Sequence, residues 1–173
     1  MDCDTRTIEP SPSNAPRRVA VVVSTYNQWI TDALLSGALE AFDRASGSAG
    51  HVDVVRVPGT YELPAAAAAC ARTGRYGAVI CLGCVIRGET SHDRYIAESV
   101  ANGLQRIACG EHGNEPIAVG FGVLTVDNAE QAEARAGGAM GNKGAEAMDA
   151  ALETASVLLV IESERSAGVN DRT

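Results

Sequence analysis

The sequence predicts an α/β fold, a four-stranded and mostly parallel sheet with helices on both faces. Four apolar runs of strand length occur, at 19–23, 51–57, 76–86 and 116–125, and each is followed by a stretch whose apolar residues recur at helical spacing. Strand and helix alternating in this order favour parallel pairing through crossovers. The third run, with Ala78, Val79, Ile80, Cys81 and Leu82 at its heart, is apolar throughout, the pattern of a central strand buried on both faces. Polar clusters follow the strands, so a ligand site is expected outside their carboxyl ends.

Residues 1–18 are polar, contain Pro10, Pro12 and Pro16 and show no period. They read as an arm, extended or mobile by itself and free to order against a neighbouring subunit or add a strand to it. The β-branched run from Val19 to Val23 ends in the polar loop Ser24, Thr25, Tyr26, Asn27. From Trp29 onward, Ile30, Leu34, Leu35, Ala38, Leu39 and Phe42 fall on one helical stripe, with Ser46, Gly47 and Ser48 as its stop. The second strand, 51–57, alternates and halts at Pro58 and Gly59. Thr60, Tyr61 and Glu62 then lead into a helix with Pro64 in its first turn. Its run of alanines from Ala65 suits close packing, a second copy of the chain included.

The third strand gives way at Arg87 to a polar turn, and Thr90 or Ser91 is the expected N-cap of a helix with Ile96, Val100 and Leu104 on one stripe, closing near Gly110. After the loop 111–115 comes the fourth strand, then a helix through Arg135 whose capping box pairs Asp127 with Glu130. Gly137 and Gly138 interrupt it. Asn142 caps a last helix over 143–160, and 163–173 reads as a polar tail.

With 173 residues and no internal linker, one domain over 19–162 is expected. A formal net charge of -8 argues against nucleic acid or an anionic membrane surface, since nothing would replace counterions along a phosphate backbone. No run approaches the roughly twenty apolar residues of a membrane span, and acidic residues stand where a signal peptide is apolar; a cytoplasmic location is expected. The five cysteines, Cys3, Cys70, Cys81, Cys84 and Cys109, lack the spacing of a disulfide framework. Cys81 and Cys84 spell C-x-x-C, but residues three apart on a strand point opposite ways, so both read as buried thiols. His51, His92 and His112 lie on separate elements, which leaves no metal site.

Four stretches converge on the carboxyl edge of the predicted sheet: 25–27, 60–62, 88–92 and 125–127. They offer aromatic faces, a carboxylate, an imidazole and, at the start of the third helix, unpaired N–H groups at the positive end of the helix dipole, where a phosphate binds even in an acidic protein. That inventory suits an aromatic, polyhydroxylated or phosphorylated small molecule. Singly, each residue has a plainer role: His92 as a surface or capping histidine, Tyr26 and Phe121 as packing, Glu62 and Arg135 as complements to helix ends, Lys143 as an exposed turn.

Together the residues closely resemble the lumazine synthase family of riboflavin biosynthesis. The matching blocks are 24–27 with 30–38, 57–64, 83–92, 121–125, Asn128, 130–132, 135–137 and 141–144, in the family's order over about residues 19–160. The resemblance implies a three-layer, flavodoxin-like fold and the cofactor-free condensation of 5-amino-6-(D-ribitylamino)uracil with 3,4-dihydroxy-2-butanone 4-phosphate, giving 6,7-dimethyl-8-ribityllumazine, phosphate and water. It assigns Tyr26 to stacking on the pyrimidine, Thr60, Tyr61 and Glu62 to the ribityl chain, and Cys84, Val85 and Ile86 to the strand end beside the uracil. Glu89, Thr90 and Arg135 match the phosphate site, and His92 the acid/base residue. Phe121, Arg135 and Lys143 would come from the adjacent subunit of a homopentamer, itself able in some members to build a sixty-subunit capsid and to associate with riboflavin synthase. Glu89, Asp93 and Ala139 depart from residues common in the family and make the phosphate surroundings less positive. A non-catalytic lumazine- or flavin-binding protein and a capsid-forming one are the alternatives on the same fold.

Overall fold

The computed structural model describes residues 5–46, 50–111 and 115–170, with the side chains of 167–170 outside the described set. Cys3, the Gly47–Ser48 helix stop and His112 fall outside the described residues. Strands β1 (Arg18–Ser24), β2 (His51–Val57), β3 (Ala78–Ile86) and β4 (Ala118–Val126) form one sheet in the order β2-β1-β3-β4, parallel throughout. Helices α1 (Gln28–Ser46) and α5 (Lys143–Asn170) cover one face, and α2 (Leu63–Arg72) and α3 (His92–Ala108) the other. This is the three-layer, flavodoxin-like arrangement expected.

Strand pleating divides the core in two. Val19, Val21, Val23, Ile80 and Leu82 meet Ile30, Leu34, Ala38, Met148 and Leu152 on the α1/α5 side. Ala20, Val22, Val79 and Cys81 meet Leu63, Ala67, Val100 and Leu104 on the α2/α3 side. The C-x-x-C pair is split accordingly, Cys84 in the first core and Cys81 in the second, and both are free thiols. Burial raises the pKa of Cys81 and pushes that of Cys84 up to about 11, so neither is poised as a nucleophile. Glycines in β4 let α5 lie close: a Cβ on Gly120 would sit 2.5 Å from the Ala147 carbonyl oxygen.

Several expectations are corrected. Ser91, one of the two expected residues, does occupy the N-cap position of α3, but without a side-chain capping bond, and the Thr90 hydroxyl bonds the His92 ring. The cap of α4 (Ala129–Arg135) is Asn128, whose Oδ1 accepts from Gln131 N, while the Gln131 side chain accepts from Asp127 N; the box is one residue later than the Asp127/Glu130 pair. Beyond Arg135 the chain forms a small antiparallel ladder, β5 (Ala136–Gly138) and β6 (Gly141–Asn142), turning through Gly137 and Gly141 with φ of 110° and 76°. Helix α5 does not stop near Val160 but continues to Asn170, so the polar stretch from Ser163 is helical. Arg165 pairs with Glu115 at 3.3 Å, and Arg6 of the arm pairs with Glu164.

The described part of the arm is ordered against its own chain and pairs with none of the strands of that chain's sheet. A 3-10 turn at Pro12–Asn14 lies against α5, with Ser11 N donating to Ser156 Oγ at 3.1 Å. The alanine-rich α2 buries Leu63, Ala67 and Cys70 and packs on α3, leaving Ala65 and Ala69 exposed.

Candidate active site

Three strand ends and a helix start build the site. At the end of β1, Thr25 N donates to Val57 O at 2.8 Å and Tyr26 N to Pro58 O at 3.0 Å, lacing this loop to the end of β2. Asn27 follows in the left-handed region, φ 55°, and its Nδ2 donates to Cys84 O at 3.0 Å. The backbone is thus fixed on both sides while the Tyr26 ring stands 70% exposed over the edge. From the next loop, a 3-10 turn at Thr60–Glu62, Thr60 turns inward and is buried, while Tyr61 and Glu62 remain exposed. Gly83 makes room for Thr60: a Cβ there would lie 2.8 Å from its Cγ2.

β3 carries Cys84 and Val85 buried and Ile86 half-buried at the sheet end. Arg87 N donates to Val126 O at 2.8 Å, and the Arg87 guanidinium lies 3.5 Å from Asp127. The chain then leaves the sheet through Gly88, Glu89, Thr90 and Ser91 into the first turn of α3, and this turn lines an open cavity of about 510 Å³ together with Arg87, Asp93 and Arg94. His92 is exposed at the start of α3. Its Nδ1 is 2.6 Å from Thr90 Oγ1, and its Cε1 is 3.4 Å from where a Cβ on Gly88 would be. Glu89 has no ion-pair partner among the described residues, and Asp93 is buried in the first turn.

Tyr26, Thr60, Tyr61, Glu62, Cys84, Val85, Ile86, Glu89, Thr90 and His92 therefore share the carboxyl edge of the sheet. Phe121, Arg135 and Lys143 do not join them. They line a second cavity of about 520 Å³ along the free flank of β4. Phe121 stands five residues before Val126, about 16 Å down the strand at 3.3 Å per residue, so a single chain cannot bring it to the edge. Arg135 is half-buried and donates to Gln131 O, and Lys143 is paired with Glu146 at 2.6 Å.

Asn27 and Gly88 lie within the stretches 25–27 and 88–92 that the sequence marked, but the left-handed backbone of the first and the packing of the His92 ring on the second had no signal in residue type alone. A cavity of about 620 Å³ lies at the opposite end of the sheet against Pro16, Tyr76 and Gly77 and holds none of the site residues. Among the described residues there is no cluster of metal-ligating side chains and no helix long and apolar enough to cross a membrane.

Fold and geometry define a three-layer α/β protein whose candidate site lies at the carboxyl ends of a parallel sheet, with an exposed aromatic ring and the turn that opens α3 on the same edge. Residues 16–158 match the profile of the 6,7-dimethyl-8-ribityllumazine synthase family, and the chain belongs to that family. The family is one of oligomeric transferases that act on small molecules in riboflavin biosynthesis.

Proposed function

We propose that the chain is a cytoplasmic, cofactor-free enzyme that condenses 5-amino-6-(D-ribitylamino)uracil with 3,4-dihydroxy-2-butanone 4-phosphate to 6,7-dimethyl-8-ribityllumazine. The observation that carries this reading is the juxtaposition of His92, held over Gly88 and bonded to Thr90, with the turn that opens α3. An acid/base group beside an anion site is what elimination of a phosphate requires.

In this reading Tyr26 stacks on the uracil, whose edge lies against Cys84, Val85 and Ile86, and Glu62 accepts hydrogen bonds from ribityl hydroxyls beside Thr60 and Tyr61. The phosphate sits on the N–H groups of the 88–91 turn, with Thr90 donating. The uracil's primary amine adds to the ketone and water leaves to form the imine. His92 then takes a carbon-bound proton as phosphate departs, and ring closure by the ribitylamine expels further water.

The site is completed by a second copy. β4 is an edge strand of nine residues, Ala-Val-Gly-Phe-Gly-Val-Leu-Thr-Val, with no charge or proline to deter pairing, whereas the other edge, β2, carries Asp53 and Arg56. Covering the β4 flank with a neighbour hides that edge and delivers Phe121, Arg135 and Lys143 to the neighbour's site. A closed ring of five gives every subunit both contacts. Arg135, a planar fork of donors, then meets the phosphate from the side opposite the turn.

Mixing the purified protein with both substrates and following lumazine absorbance against the uncatalysed reaction tests the activity. A clear acceleration is expected; no acceleration with tight lumazine binding retained would make this a binding protein. Replacing Arg135 with alanine is expected to raise KM for the phosphorylated ketone about tenfold or more, the loss of a charge-assisted bidentate contact. An unchanged KM would remove Arg135 from the phosphate site.

A further inference from the structure

We propose that Thr90 is a positioning residue that couples the tautomer of His92 to occupancy of the phosphate site, an inference that rests on the reading of the 88–91 turn given above. Thr90 Oγ1 lies 2.6 Å from His92 Nδ1, and the same threonine lines the cavity of the turn. Nε2 of the ring makes no hydrogen bond among the described residues and is the nitrogen left to meet substrate. The arrangement is therefore a relay of three groups: cavity, hydroxyl, imidazole.

A hydroxyl differs from the carboxylate that often orients a histidine. A carboxylate only accepts, so it holds the proton on the nitrogen it faces. A hydroxyl has one proton to give and two lone pairs, so it serves either tautomer by rotating. Glu89 and Asp93 line the same cavity, yet neither is bonded to the His92 ring among the described residues. With the turn empty, Thr90 can donate to Nδ1 and leave the proton on Nε2, or accept from Nδ1 and leave Nε2 bare.

A bound phosphate removes that freedom. Its oxygens accept the one Thr90 O–H proton, after which Oγ1 can only accept, and the partner it accepts from is Nδ1–H. The remaining nitrogen, Nε2, then carries the lone pair and is a base. In the elimination step Nε2 takes the carbon-bound proton, the C–H electron pair becomes the new double bond, and phosphate leaves with the C–O pair. His92 is thus held in its base form while there is a phosphate to expel, whereas the empty turn leaves both tautomers open.

The test is nitrogen-15 spectroscopy of the intact, histidine-labelled protein at about pH 8.5, where an ordinary imidazole is neutral. His92 signals are assigned by their loss in His92→Gln, and inorganic phosphate is the probe, with its binding followed by phosphorus-31 spectra. Phosphate is expected to move the His92 proton to Nδ1 in the parent and in Thr90→Ser, and to have no such effect in Thr90→Val. Turnover is expected to fall about tenfold in Thr90→Val and to return to within about twofold of the parent in Thr90→Ser, a fraction of the full acid/base contribution. Bound phosphate without a tautomer change in the parent, or an unaltered change in Thr90→Val, overturns the coupling alone. Absence of phosphate binding overturns the turn as an anion site and the coupling with it.

Discussion

His92 is placed by neighbours more than by its own helix: the Thr90 hydroxyl fixes one ring nitrogen and Gly88 leaves room for the ring edge. Neither contact exists in the polar motif read as a string, although the motif did mark the imidazole beside a helix start. His92→Ala is expected to lower kcat about a hundredfold, the size of a lost general acid/base, with KM for both substrates nearly unchanged. Equal kinetics for variant and parent would remove its role. A second residue-scale prediction concerns Asp53, at the far end of the sheet. It accepts from Tyr76 OH at 2.8 Å, Arg18 at 2.9 Å and His51 at 3.0 Å, and these bonds, Tyr76 first, hold its carboxyl well below the usual range. A depressed carboxyl stabilises the fold above its unfolded value, and that contribution is lost as pH falls below about 4. Thermal unfolding midpoints should therefore drop on the acid side, and Asp53→Asn should lower the midpoint at neutral pH and flatten the acid fall. The cluster is partly exposed, so added salt should shrink the difference.

Helix ends show where sequence pattern sufficed and where it did not. Asn142 was legible as a cap because it precedes a run with helical period, and its Oδ1 accepts from Gly144 N at 2.8 Å and Ala145 N at 3.2 Å. Its other half was not legible: Nδ2 donates to Ala33 O at 2.8 Å, binding the start of α5 to α1 from a distant part of the chain. The close approach depends on Gly37, where a Cβ would lie 2.3 Å from the Asn142 side chain. Asn142→Ala is expected to cost about 1–2 kcal/mol from the cap, with the α1 bond adding to it, measurable by urea unfolding. A loss below about 0.5 kcal/mol would show that the bonds to water replace it. At α4 the sequence holds two overlapping frames, Asp127 with Glu130 and Asn128 with Gln131, and nothing local separates them. The run of β4 to Val126 and the tie of Arg87 N to Val126 O carry the strand one residue past its expected end, which puts the cap on Asn128. The added turns of α5 escaped notice for another reason. They lack an apolar stripe, and the contacts they make, exposed ion pairs to Glu115 and to the arm, exist only after folding.

At the scale of the whole molecule, strand and helix order made the parallel sheet legible, and the resemblance supplied the division of the site between subunits. The fold supports the proposed division in one respect: Phe121 lies about 16 Å down β4 from the edge where His92 stands, on a strand whose outer side is open. If His92 of one subunit works with Arg135 of the next, the two defects can be complemented. Assayed with the phosphorylated ketone well below its KM, His92→Ala and Arg135→Ala rings are each expected to turn over at about a tenth of the parental rate or less. Unfolded together at equal amounts and refolded as mixed rings, a site is intact whenever an Arg135→Ala subunit, which keeps His92, precedes a His92→Ala subunit, which keeps Arg135. Random assembly makes about a quarter of the sites whole, so about a quarter of parental turnover should return. The same mixture made without unfolding should stay at the low rate of the single variants, since subunits have not exchanged. Sedimentation of the refolded species should give about 90 kDa for five chains of 17.9 kDa, or multiples of that ring if rings assemble further. Recovery of no activity from properly sedimenting mixed rings would mean that both residues serve the same chain's site, and the edge of β4 would then need another explanation.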